Sequence, residues 1–454
     1  MKRVWLVIPD RLSARIFFDT GIFGGLRERL GERLVAALTV DRKHAANWAA
    51  HLDGVPAIYE RELFPWQVPI PEKVKRRLDI WLDGKLGFYP IAIRFNERHG
   101  FHRGRMRPGH DHLFLNSSLA GPLPRWVSLD EAMRGWVYSP RRYVSHTLLE
   151  RMRRECAAVV LANVQTQPVV RFLLAARRLG VPSVGYVLSW DHTVGKGVIS
   201  THLDRYVVQN DVMRDELARY HGIDPARVVV TGWPQSDVFH RRRPRADYDE
   251  LLRQYGLDPA KPVVVIMGNT PTNAPYEDRF VKRLVDWWES TGGAARFSLL
   301  FRPHPTDVRW EDRFAAALGR PGAYVQASSY TDLDVLATML QHADCVVANA
   351  GTILLDSIVN DRPSVCVLYD EGGPPGESWA AKNVEGEHYR QLMESGAFYR
   401  AHDFEEVAQG IERALAHPEE LSAERRRVAR EVVGEVDGRA AERVVDAIVD
   451  VTGP

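Results

Sequence analysis

The sequence predicts an α/β protein with two doubly wound parallel sheets, one in each half of the chain. Short runs of β-branched and other apolar residues recur, and segments with helical periodicity, such as 166–179 and 331–343, separate them. Continuous apolar runs are typical of parallel strands that are buried on both faces. Strands are therefore expected at 4–8, 34–40, 157–163, 182–188 and 204–208 in the first set, and at 262–267, 297–301, 344–348 and 364–368 in the second.

Domain boundaries follow from the change of pattern between the two sets of strands. A basic, turn-rich stretch between about 232 and 260 separates the sets, which predicts a first domain at 1–235 and a second at 236–425. The segment 426–454 is expected to be a helix, because its apolar residues recur near helical spacing. Two glycines are expected to mark a kink in this helix: Gly434 and Gly438.

An insertion at about 64–150 interrupts the first domain. It is rich in aromatic residues and holds a basic segment at 98–107. A solvated loop with a small satellite core is the simpler interpretation, and an acceptor-binding surface that contacts phosphate or anionic lipid is the alternative. No metal site is expected there, because no framework of carboxylates or cysteines accompanies its histidines: His99, His102, His110 and His112.

Composition and charge reduce the number of functional classes to which the protein could belong. The 454 residues carry a formal net charge of +1, so bulk electrostatics do not indicate a nucleic-acid partner. No apolar run reaches the length of about 18 residues that a membrane span needs, and the stretch at 4–8 is too short for a signal peptide. A cytoplasmic protein is therefore expected. Three cysteines in apolar surroundings are expected to be buried free thiols, which fits a reducing compartment: Cys156, Cys345 and Cys366.

Two strand ends in the second half carry polar residues that suit a phosphate. One strand runs into Arg302-Pro303-His304-Pro305, where Arg302 offers a planar cationic fork and His304 can donate or accept a proton. Another strand is followed by Gly268-Asn269-Thr270. Because the carboxyl ends of parallel strands share one edge of a sheet, both segments are expected at one ligand-binding edge.

A third strand end in this half leads directly into a helix. The segment Asn349-Ala350-Gly351-Thr352 follows the predicted strand, and Gly351 would let the backbone approach a ligand closely. Thr352 and the N–H groups of the helix start suit a phosphate. Asp356 lies one turn later on the same face and suits a ribose hydroxyl. Helix capping by Asn349 or Thr352 is the alternative role.

In the first half, a cluster of aromatic, acidic and basic residues follows the strand at 182–188. Asp191 and His192 are candidates for a general base, and Lys196 supplies a cation. A tight loop with a surface ion pair is the alternative interpretation. Trp190 and Trp233, the latter in Thr231-Gly232-Trp233-Pro234, are expected to line a cleft.

The order of these motifs resembles that of GT-B transferases, particularly the branch of CDP-glycerol glycerophosphotransferases and UDP-N-acetylglucosamine 2-epimerase-like proteins. The resemblance implies two Rossmann-like domains facing a cleft, with the nucleotide donor in the second domain. It also implies that the C-terminal helix packs back on the first domain. Arg302, His304 and Thr352 would face the donor phosphates, and Asp356 its ribose. The resemblance runs from about 156 to 450 and rests on five segments: Thr231-Gly232-Trp233-Pro234, Arg302-Pro303-His304-Pro305, Tyr330-Thr331-Asp332 with Leu336, Ala343-Asp344 with Asn349-Ala350-Gly351-Thr352, and Asp437-Gly438-Arg439-Ala440-Ala441-Glu442-Arg443.

One position departs from the pattern of the family. In glycerophosphotransferases a Trp-His-Gly-Thr-Pro-Leu-Lys loop carries a His that is proposed as the base. Aligned from Trp190, that position holds Asp191 in this chain, and His192 comes one residue later. A carboxylate base suits an inverting glycosyl transfer, in which the acceptor hydroxyl loses its proton.

The expected function is that of an inverting, metal-independent glycosyltransferase in cell-surface polysaccharide or glycolipid synthesis. A nucleotide-activated sugar would be the co-substrate, with no bound cofactor or metal, and a glycan or lipid-linked molecule the acceptor. Peripheral membrane contact is expected through the insertion. The alternatives are a CDP-alditol-type glycerophosphotransferase, a sugar-nucleotide 2-epimerase or hydrolase, and a non-catalytic nucleotide-sugar-binding module. The acidic, glycine-doublet signature of epimerases is not evident at 349–356.

Overall fold

The structure is a computed structural model that describes residues 2–39, 49–65, 67–86, 88–101, 126–329, 332–349, 351–374, 378–382, 384 and 386–453. The chain divides into two compact units. Unit 1 comprises Met1–Pro234 together with Arg439–Pro454, and unit 2 comprises Gln235–Gly438. The chain therefore leaves unit 1 once, builds unit 2, and returns to unit 1 for its last helix.

Unit 1 is built on a seven-stranded sheet whose strands are all parallel. The spatial order is β3-β2-β1-β4-β5-β6-β7, so the direction of winding reverses between β1 and β4. In doubly wound sheets this reversal is where ligands bind, beyond the carboxyl ends of the strands. The strands are β1 (Arg3–Ile8), β2 (Leu34–Leu38), β3 (Ala57–Tyr59), β4 (Cys156–Leu161), β5 (Ser183–Tyr186), β6 (Arg205–Val208) and β7 (Val228–Val230).

Unit 2 contains a six-stranded parallel sheet in the order β10-β9-β8-β11-β12-β13. Its winding reverses between β8 and β11. Met267 pairs with Arg302 of β9 on one side and with Ala348 of β11 on the other, so three strands end at the same level. The strands are β8 (Val263–Met267), β9 (Ser298–Arg302), β10 (Ala323–Val325), β11 (Cys345–Ala348), β12 (Ser364–Val367) and β13 (Tyr399–Ala401).

Helices connect the strands in both units. In unit 1 they are Arg11–Asp19, Ile22–Leu30, Ala49–Leu52, Glu60–Leu63, Ile70–Leu86, Phe88–His99, Val127–Val137, His146–Glu155, Gln167–Leu179, His192–Gly195, Asp211–His221 and Ala440–Thr452. Pro234–His240 begins at the division between the units. In unit 2 they are Arg245–Gln254, Glu277–Ser290, Gly293–Arg296, Trp310–Arg313, Leu333–His342, Thr352–Val359, Trp379–Lys382, Glu387–Glu394, Phe404–Ala416 and Ser422–Val428. Shorter turns are the 3₁₀ segments Gly31–Arg33, Pro225–Arg227 and Ala315–Ala317, and the π-helical turn Ala429–Val433.

The prediction of two doubly wound parallel sheets is confirmed, and each of the nine predicted strands is present within two residues of its bounds. The four strands that the prediction missed are the edges of the two sheets, and each has only three residues: β3, β7, β10 and β13. Short edge strands are common because they limit the row of unpaired backbone groups at the margin of a sheet.

The C-terminal region differs from the prediction of one kinked helix. The helix Ser422–Val428 passes into the π-helical turn, the chain then breaks, and Ala440–Thr452 forms a second helix. Gly434 and Gly438 have φ values of 94° and 76°, which lie in the left-handed region that a helix does not use. The prediction also began this segment at 426, whereas the return to unit 1 comes at Arg439.

The last helix is fixed within unit 1 by close packing and by hydrogen bonds. A Cβ atom on Gly25 would lie 2.9 Å from the Val445 side chain, so only glycine allows this approach of the helix Ile22–Leu30. Arg33 donates to the carbonyl of Thr452 at 2.9 Å, and Arg443 donates to that of Thr231 at 2.7 Å. The end of the chain therefore contributes to the fold of unit 1.

The cores of both units are formed by the central strands and the apolar faces of the helices. The three cysteines are free and buried, as the sequence predicted, with Cys156 in β4, Cys345 in β11 and Cys366 in β12. Burial raises the pKa of each thiol far above its ordinary range. None of the helices in the described residues combines the length and apolar character that crossing a membrane requires.

Candidate active site

The loops that follow β8 and β11 meet at the reversal point of the unit 2 sheet. Asn269 follows β8, Asn349 follows β11, and the Asn269 Nδ2 atom donates to Asn349 Oδ1 at 3.2 Å. The side-chain amide of Asn349 also donates to the carbonyls of Val367 and Ala380, at 2.7 and 3.2 Å. Both asparagines were predicted as donor ligands, and in this structure their side chains hold the two loops together.

Gly268 brings the end of β8 against the turn that follows β9. Its N–H donates to the carbonyl of Arg302 at 2.9 Å. A Cβ atom at this position would lie 2.9 Å from the Phe314 ring, 3.1 Å from Pro303 Cα and 3.3 Å from the His304 nitrogen. The glycine is therefore required by the packing of the protein itself.

Gly351 differs from Gly268 in its surroundings. A Cβ atom there would find its nearest neighbours at 3.9–4.0 Å, which is ordinary contact, and the extended backbone, with φ at 177°, suits any residue. Gly351 is the N-cap of the helix Thr352–Val359, and no side chain of the described residues caps this helix. Thr352 is exposed, and Thr270 in the loop after β8 is half-buried. This helix start has the N–H groups and the dipole that favour an anion.

Arg302 is placed differently from its predicted role as a phosphate ligand. Its buried guanidinium forms an ion pair with Asp332 at 2.7 Å and donates to Gln326, which follows β10. The charge of Arg302 is therefore already paired within the protein in this structure. The motif residues Tyr330 and Thr331, like Ala350, lie outside the described residues.

His304 and Asp356 also have protein partners. The His304 Nδ1 atom accepts from the Thr306 N–H at 3.2 Å and lies 2.7 Å from the Thr306 hydroxyl, so a neutral imidazole would carry its proton on Nε2. Asp356, predicted to face a ribose, is buried and accepts from Gln235 Nε2 at 2.9 Å. Its carboxylate lies inside unit 2 with a polar partner.

A buried ionic cluster that the sequence did not indicate supports these loops. Arg313 forms ion pairs with Glu277 at 2.8 Å and with Asp307 at 2.7 Å. Glu277 accepts from the Asn269 N–H at 2.8 Å, and the Asp307 N–H donates to the carbonyl of His304 at 2.8 Å. The cluster thus joins the loop after β8 to the turn after β9. Glu277 lies 36 residues before Arg313, and the six-residue spacing of Asp307 and Arg313 is no recognisable motif, so no sequence signal marked the cluster.

The cluster makes the stability of the protein depend on pH. Burial raises the pKa of Glu277 to about 7, against the opposing effect of Arg313. The folded state therefore binds this proton more tightly than the unfolded chain does. The stabilisation is complete below the ordinary value of 4.5 and is lost as the pH rises through about 7.

We expect Glu277→Gln to gain stability relative to the parent chain as the pH rises from about 5 to about 8. Glutamine resembles the protonated side chain in shape and does not titrate. Urea unfolding at both pH values measures the difference, with the exposed Glu250→Gln as control. A Glu277→Gln difference that stays constant across this range would contradict the interpretation.

In unit 1, the residues after β5 form the predicted polar cluster. The Lys196 Nζ atom lies 3.4 Å from Asp191 Oδ2, and these side chains retain 51% and 20% of their exposure. His192 is buried beside them and begins a short helix, His192–Gly195. Burial lowers the pKa of His192 to about 4, so its imidazole is neutral near pH 7. Trp190 and Trp233, predicted to line a cleft, are both buried in unit 1.

Residues that follow β1 and β4 extend this cluster along the same edge of the sheet. Asn163 Nδ2 donates to Asp10 Oδ2 at 3.0 Å, and Gln165 Nε2 donates to the carbonyls of His192 and Gly197, both at 2.8 Å. These residues were not predicted as part of a site, although they occupy strand ends of the kind used for unit 2. Applying the same rule to 9–10 and 162–165 would have found them.

Several buried polar atoms along this edge have no hydrogen-bond partner among the described residues. They belong to residues that follow β1, β4 and β5, the three central strands of unit 1: Ser13 Oγ, Gln165 Oε1, Thr166 Oγ1 and His192 Nδ1. Native proteins satisfy nearly all buried polar groups, so a concentration of unsatisfied ones is typical of a site that binds a polar ligand. Within the described part of the chain, no group of three His, Cys, Asp or Glu side chains is arranged to hold a metal ion.

Two parallel doubly wound sheets, each with polar loops at its reversal point, define a protein of the GT-B class. Solved structures support this class. The S. aureus MnaA–UDP complex is 12% identical with a TM-score of 0.55 and covers 99% of this chain and 96% of its own. Neisseria meningitidis UDP-GlcNAc 2-epimerase bound to UDP-GlcNAc is 10% identical, with a TM-score of 0.55 and coverage of 99% and 100%. The wall teichoic acid polymerase TagF is 10% identical, with a TM-score of 0.51 and coverage of 99% and 89%.

Sequence comparison identifies the family. The profile described as CDP-glycerol:poly(glycerophosphate) glycerophosphotransferase matches residues 189–450. The chain belongs to this family of transferases, which confirms the resemblance inferred from the motifs. No match was found among curated proteins. The structural relatives share so little sequence that their likeness establishes the fold alone.

Proposed function

We propose that this protein transfers a group from a nucleotide-activated donor to an acceptor hydroxyl, with the donor bound at the reversal point of the unit 2 sheet. The observation that carries this proposal is the start of the helix Thr352–Val359, which no described side chain caps, beside the loop Gly268-Asn269-Thr270. Backbone N–H groups there suit a diphosphate. Two proteins with this fold have been solved with UDP and with UDP-GlcNAc, which supports a nucleotide-linked donor.

Family membership favours alditol-phosphate transfer as the reaction. The acceptor hydroxyl would attack the phosphorus attached to the alditol of a CDP-alditol, the pyrophosphate bond would break, and CMP would leave. Electrostatic stabilisation of the leaving phosphate by the helix start would contribute about 2.7–4 kcal/mol, as a single preorganised donor does in other enzymes.

Inverting, metal-independent glycosyl transfer is the second candidate, and Asp191 favours it. A carboxylate occupies the position at which the family's loop carries a histidine, and the Lys196 Nζ atom lies 3.4 Å from it. The acceptor hydroxyl would then attack the anomeric carbon of the sugar, and a nucleoside diphosphate would leave.

In both reactions we propose that unit 1 binds the acceptor. The unsatisfied polar atoms after β1, β4 and β5 suit hydroxyl groups, which donate and accept hydrogen bonds. Asp191 is the proposed base, and His192, neutral near pH 7, is the alternative.

The leaving nucleotide distinguishes the two reactions. A thermal-shift screen with UDP, CDP, GDP, ADP and TDP first identifies the base, because a ligand of the folded state raises the apparent stability. The matching activated donor is then incubated with a hydroxyl acceptor, and the nucleotide product is identified by mass spectrometry. We expect CMP for alditol-phosphate transfer and a nucleoside diphosphate for glycosyl transfer. Consumption of the donor that is independent of acceptor would instead establish the epimerase or hydrolase alternative.

We also propose that the insertion contacts a membrane surface. Seven of the eleven exposed large apolar side chains of the described residues lie in it. Four of them occupy one face of the helix Ile70–Leu86, where exposure is 76% for Ile70, 60% for Val74, 55% for Leu78 and 54% for Trp81. Exposed basic residues flank this face, as in helices that lie in the interface of anionic membranes: Lys73, Lys75 and Arg77. The basic segment at 98–107, which first suggested this contact, lies largely outside the described residues.

We expect the double variant Leu78→Ser/Trp81→Ser to bind phosphatidylglycerol vesicles roughly tenfold more weakly than the parent chain, because two apolar anchors are lost. Co-sedimentation with vesicles measures the bound fraction. Val308→Ser/Leu318→Ser, which removes two exposed apolar side chains from unit 2, is the matched control. Equal binding by the two double variants would exclude the helix Ile70–Leu86 as the contact.

A further inference from the structure

Unit 2 has a large cavity at the edge of its sheet opposite to the proposed donor site. Its volume is about 1000 Å³, at the upper end of the range for ligand pockets. It is lined by Gln341 and His342 before β11, and by 358–362, the segment between the helix Thr352–Val359 and β12. These residues lie at the amino ends of the strands, whereas the proposed donor loops lie at the carboxyl ends. The cavity is therefore separate from the proposed donor site.

Positive charge dominates the lining of this cavity. Five arginines line it, against the three carboxylates Asp361, Glu435 and Asp437. The arginines belong to three separate segments of the chain: Arg242 and Arg243, Arg362, and Arg426 and Arg430. Asp361 is already compensated, since it accepts from Arg425 at 2.7 Å and from Arg426 at 3.3 Å. Arg243 is paired with Asp334.

The remaining three arginines have no carboxylate partner among the described residues. Arg362 is half-buried and donates only to the backbone carbonyls of Asn360 and Ala343, at 2.9 and 3.4 Å. Burial lowers its pKa, which means that its charge is incompletely solvated. Arg242 and Arg430 are exposed, and Arg430 lies in the π-helical turn Ala429–Val433, a distortion that is frequent at functional sites.

The dipole of a nearby helix explains the position of only one of these three arginines. The carboxyl end of a helix attracts cations, and Arg362 follows the end of Thr352–Val359. Arg242 and Arg430 lie on other segments, so this effect does not account for them. Guanidinium groups from three segments around one large cavity suit a ligand with several phosphate groups, because each can form a paired hydrogen bond to phosphate oxygens.

We propose that this cavity binds a soluble chain of phosphate groups, such as a phosphodiester polymer. This proposal is independent of the proposed function, since the cavity and the donor loops lie at opposite edges of the sheet.

The test compares two double variants that remove equal charge from unit 2. Arg242→Ser/Arg430→Ser removes two exposed arginines of the cavity. Arg241→Ser/Arg400→Ser removes two exposed arginines that do not line it. Fluorescence anisotropy with labelled inorganic polyphosphate measures the Kd of each variant, and thermal unfolding verifies that both fold.

We expect the cavity variant to bind polyphosphate roughly tenfold more weakly than the parent chain, and the control variant to bind as the parent does. Equal weakening in both variants, or no binding by the parent, would overturn the proposal. The nucleotide that stabilises the parent in thermal shift is expected to stabilise the cavity variant equally, whereas a reduced shift would make the cavity the donor site. A selective loss of binding to phosphatidylglycerol vesicles, with polyphosphate binding unchanged, would assign the cavity to lipid headgroups and also overturn it.

Discussion

Replacement of Asp191 by alanine is expected to lower the rate of transfer by roughly 100- to 10,000-fold, the usual contribution of a general base. The affinity for the donor nucleotide should not change, because the proposed donor groups belong to unit 2. The partly exposed ion pair of Asp191 with Lys196 should account for no more than about 1 kcal/mol of stability. Single-turnover kinetics with the cognate donor and calorimetric titration with the nucleotide measure the two effects separately.

Two matched variants test whether the rate falls because Asp191 acts as a base or because any carboxylate of unit 1 is lost. Asp191→Asn keeps the shape of the side chain and should be as defective as the alanine variant. Asp211→Asn removes a carboxylate that is paired with Arg214 on the surface of the same unit, and it should be fully active. If Asp191→Ala is active and His192→Asn is not, the histidine is the base. Full activity of both would refute the assignment of the base to this loop.

Gly351→Ala is expected to weaken nucleotide binding at least tenfold without destabilising the protein. The new methyl group would lie at ordinary contact distance from its neighbours, 3.9 Å or more, and the extended backbone accepts alanine. It would, however, occupy the space in which a phosphate approaches the helix start. Thermal unfolding measures the stability of the variant, and nucleotide titration measures its affinity. A tenfold change in Kd corresponds to about 1.4 kcal/mol.

Two further glycines serve as controls for this prediction. Gly268→Ala should reduce both stability and nucleotide binding, because its Cβ atom would collide with Phe314 and with the turn at Pro303. Gly24→Ala, whose Cβ atom would meet nothing within 4 Å, should leave nucleotide binding unchanged and should not lower stability, since alanine favours the helix Ile22–Leu30. Gly351→Ala protein that binds nucleotide as tightly as the parent would rule out a phosphate at this helix start.

The central strands of each sheet could be predicted from the sequence because each strand is marked by its own run of apolar residues. Runs such as Val4–Ile8 and 263–267 are continuous and apolar, and no other arrangement buries them as well. The edge strands β3, β7, β10 and β13 could not be predicted by this rule, because three residues give too short a pattern. The break between Val433 and Ala440 was underestimated as a kink, since composition shows the two glycines but not their φ values.

The sequence predicted which loops lie at the strand ends, but not which partners their side chains bind. The rule that ligands gather beyond strand ends identified the segments around Gly268, Asn349 and Asp191 correctly as strand-end loops. It could not show that Asn349 would bind neighbouring carbonyls or that Arg302 would pair with Asp332, because those partners come from distant parts of the chain. The pairing of Glu277 with Arg313, which lies 36 residues later, was missed for the same reason.

The three buried thiols can be used to detect local unfolding of each unit, because they are distributed between the two units. Thiols are unreactive while they are buried and protonated, and they become available to alkylating reagents only when the surrounding strands separate. Cys156 lies in unit 1, whereas Cys345 and Cys366 lie on adjacent strands of unit 2. The order in which native protein incorporates label at these positions therefore reveals which half of the molecule loosens first, without any engineered probe.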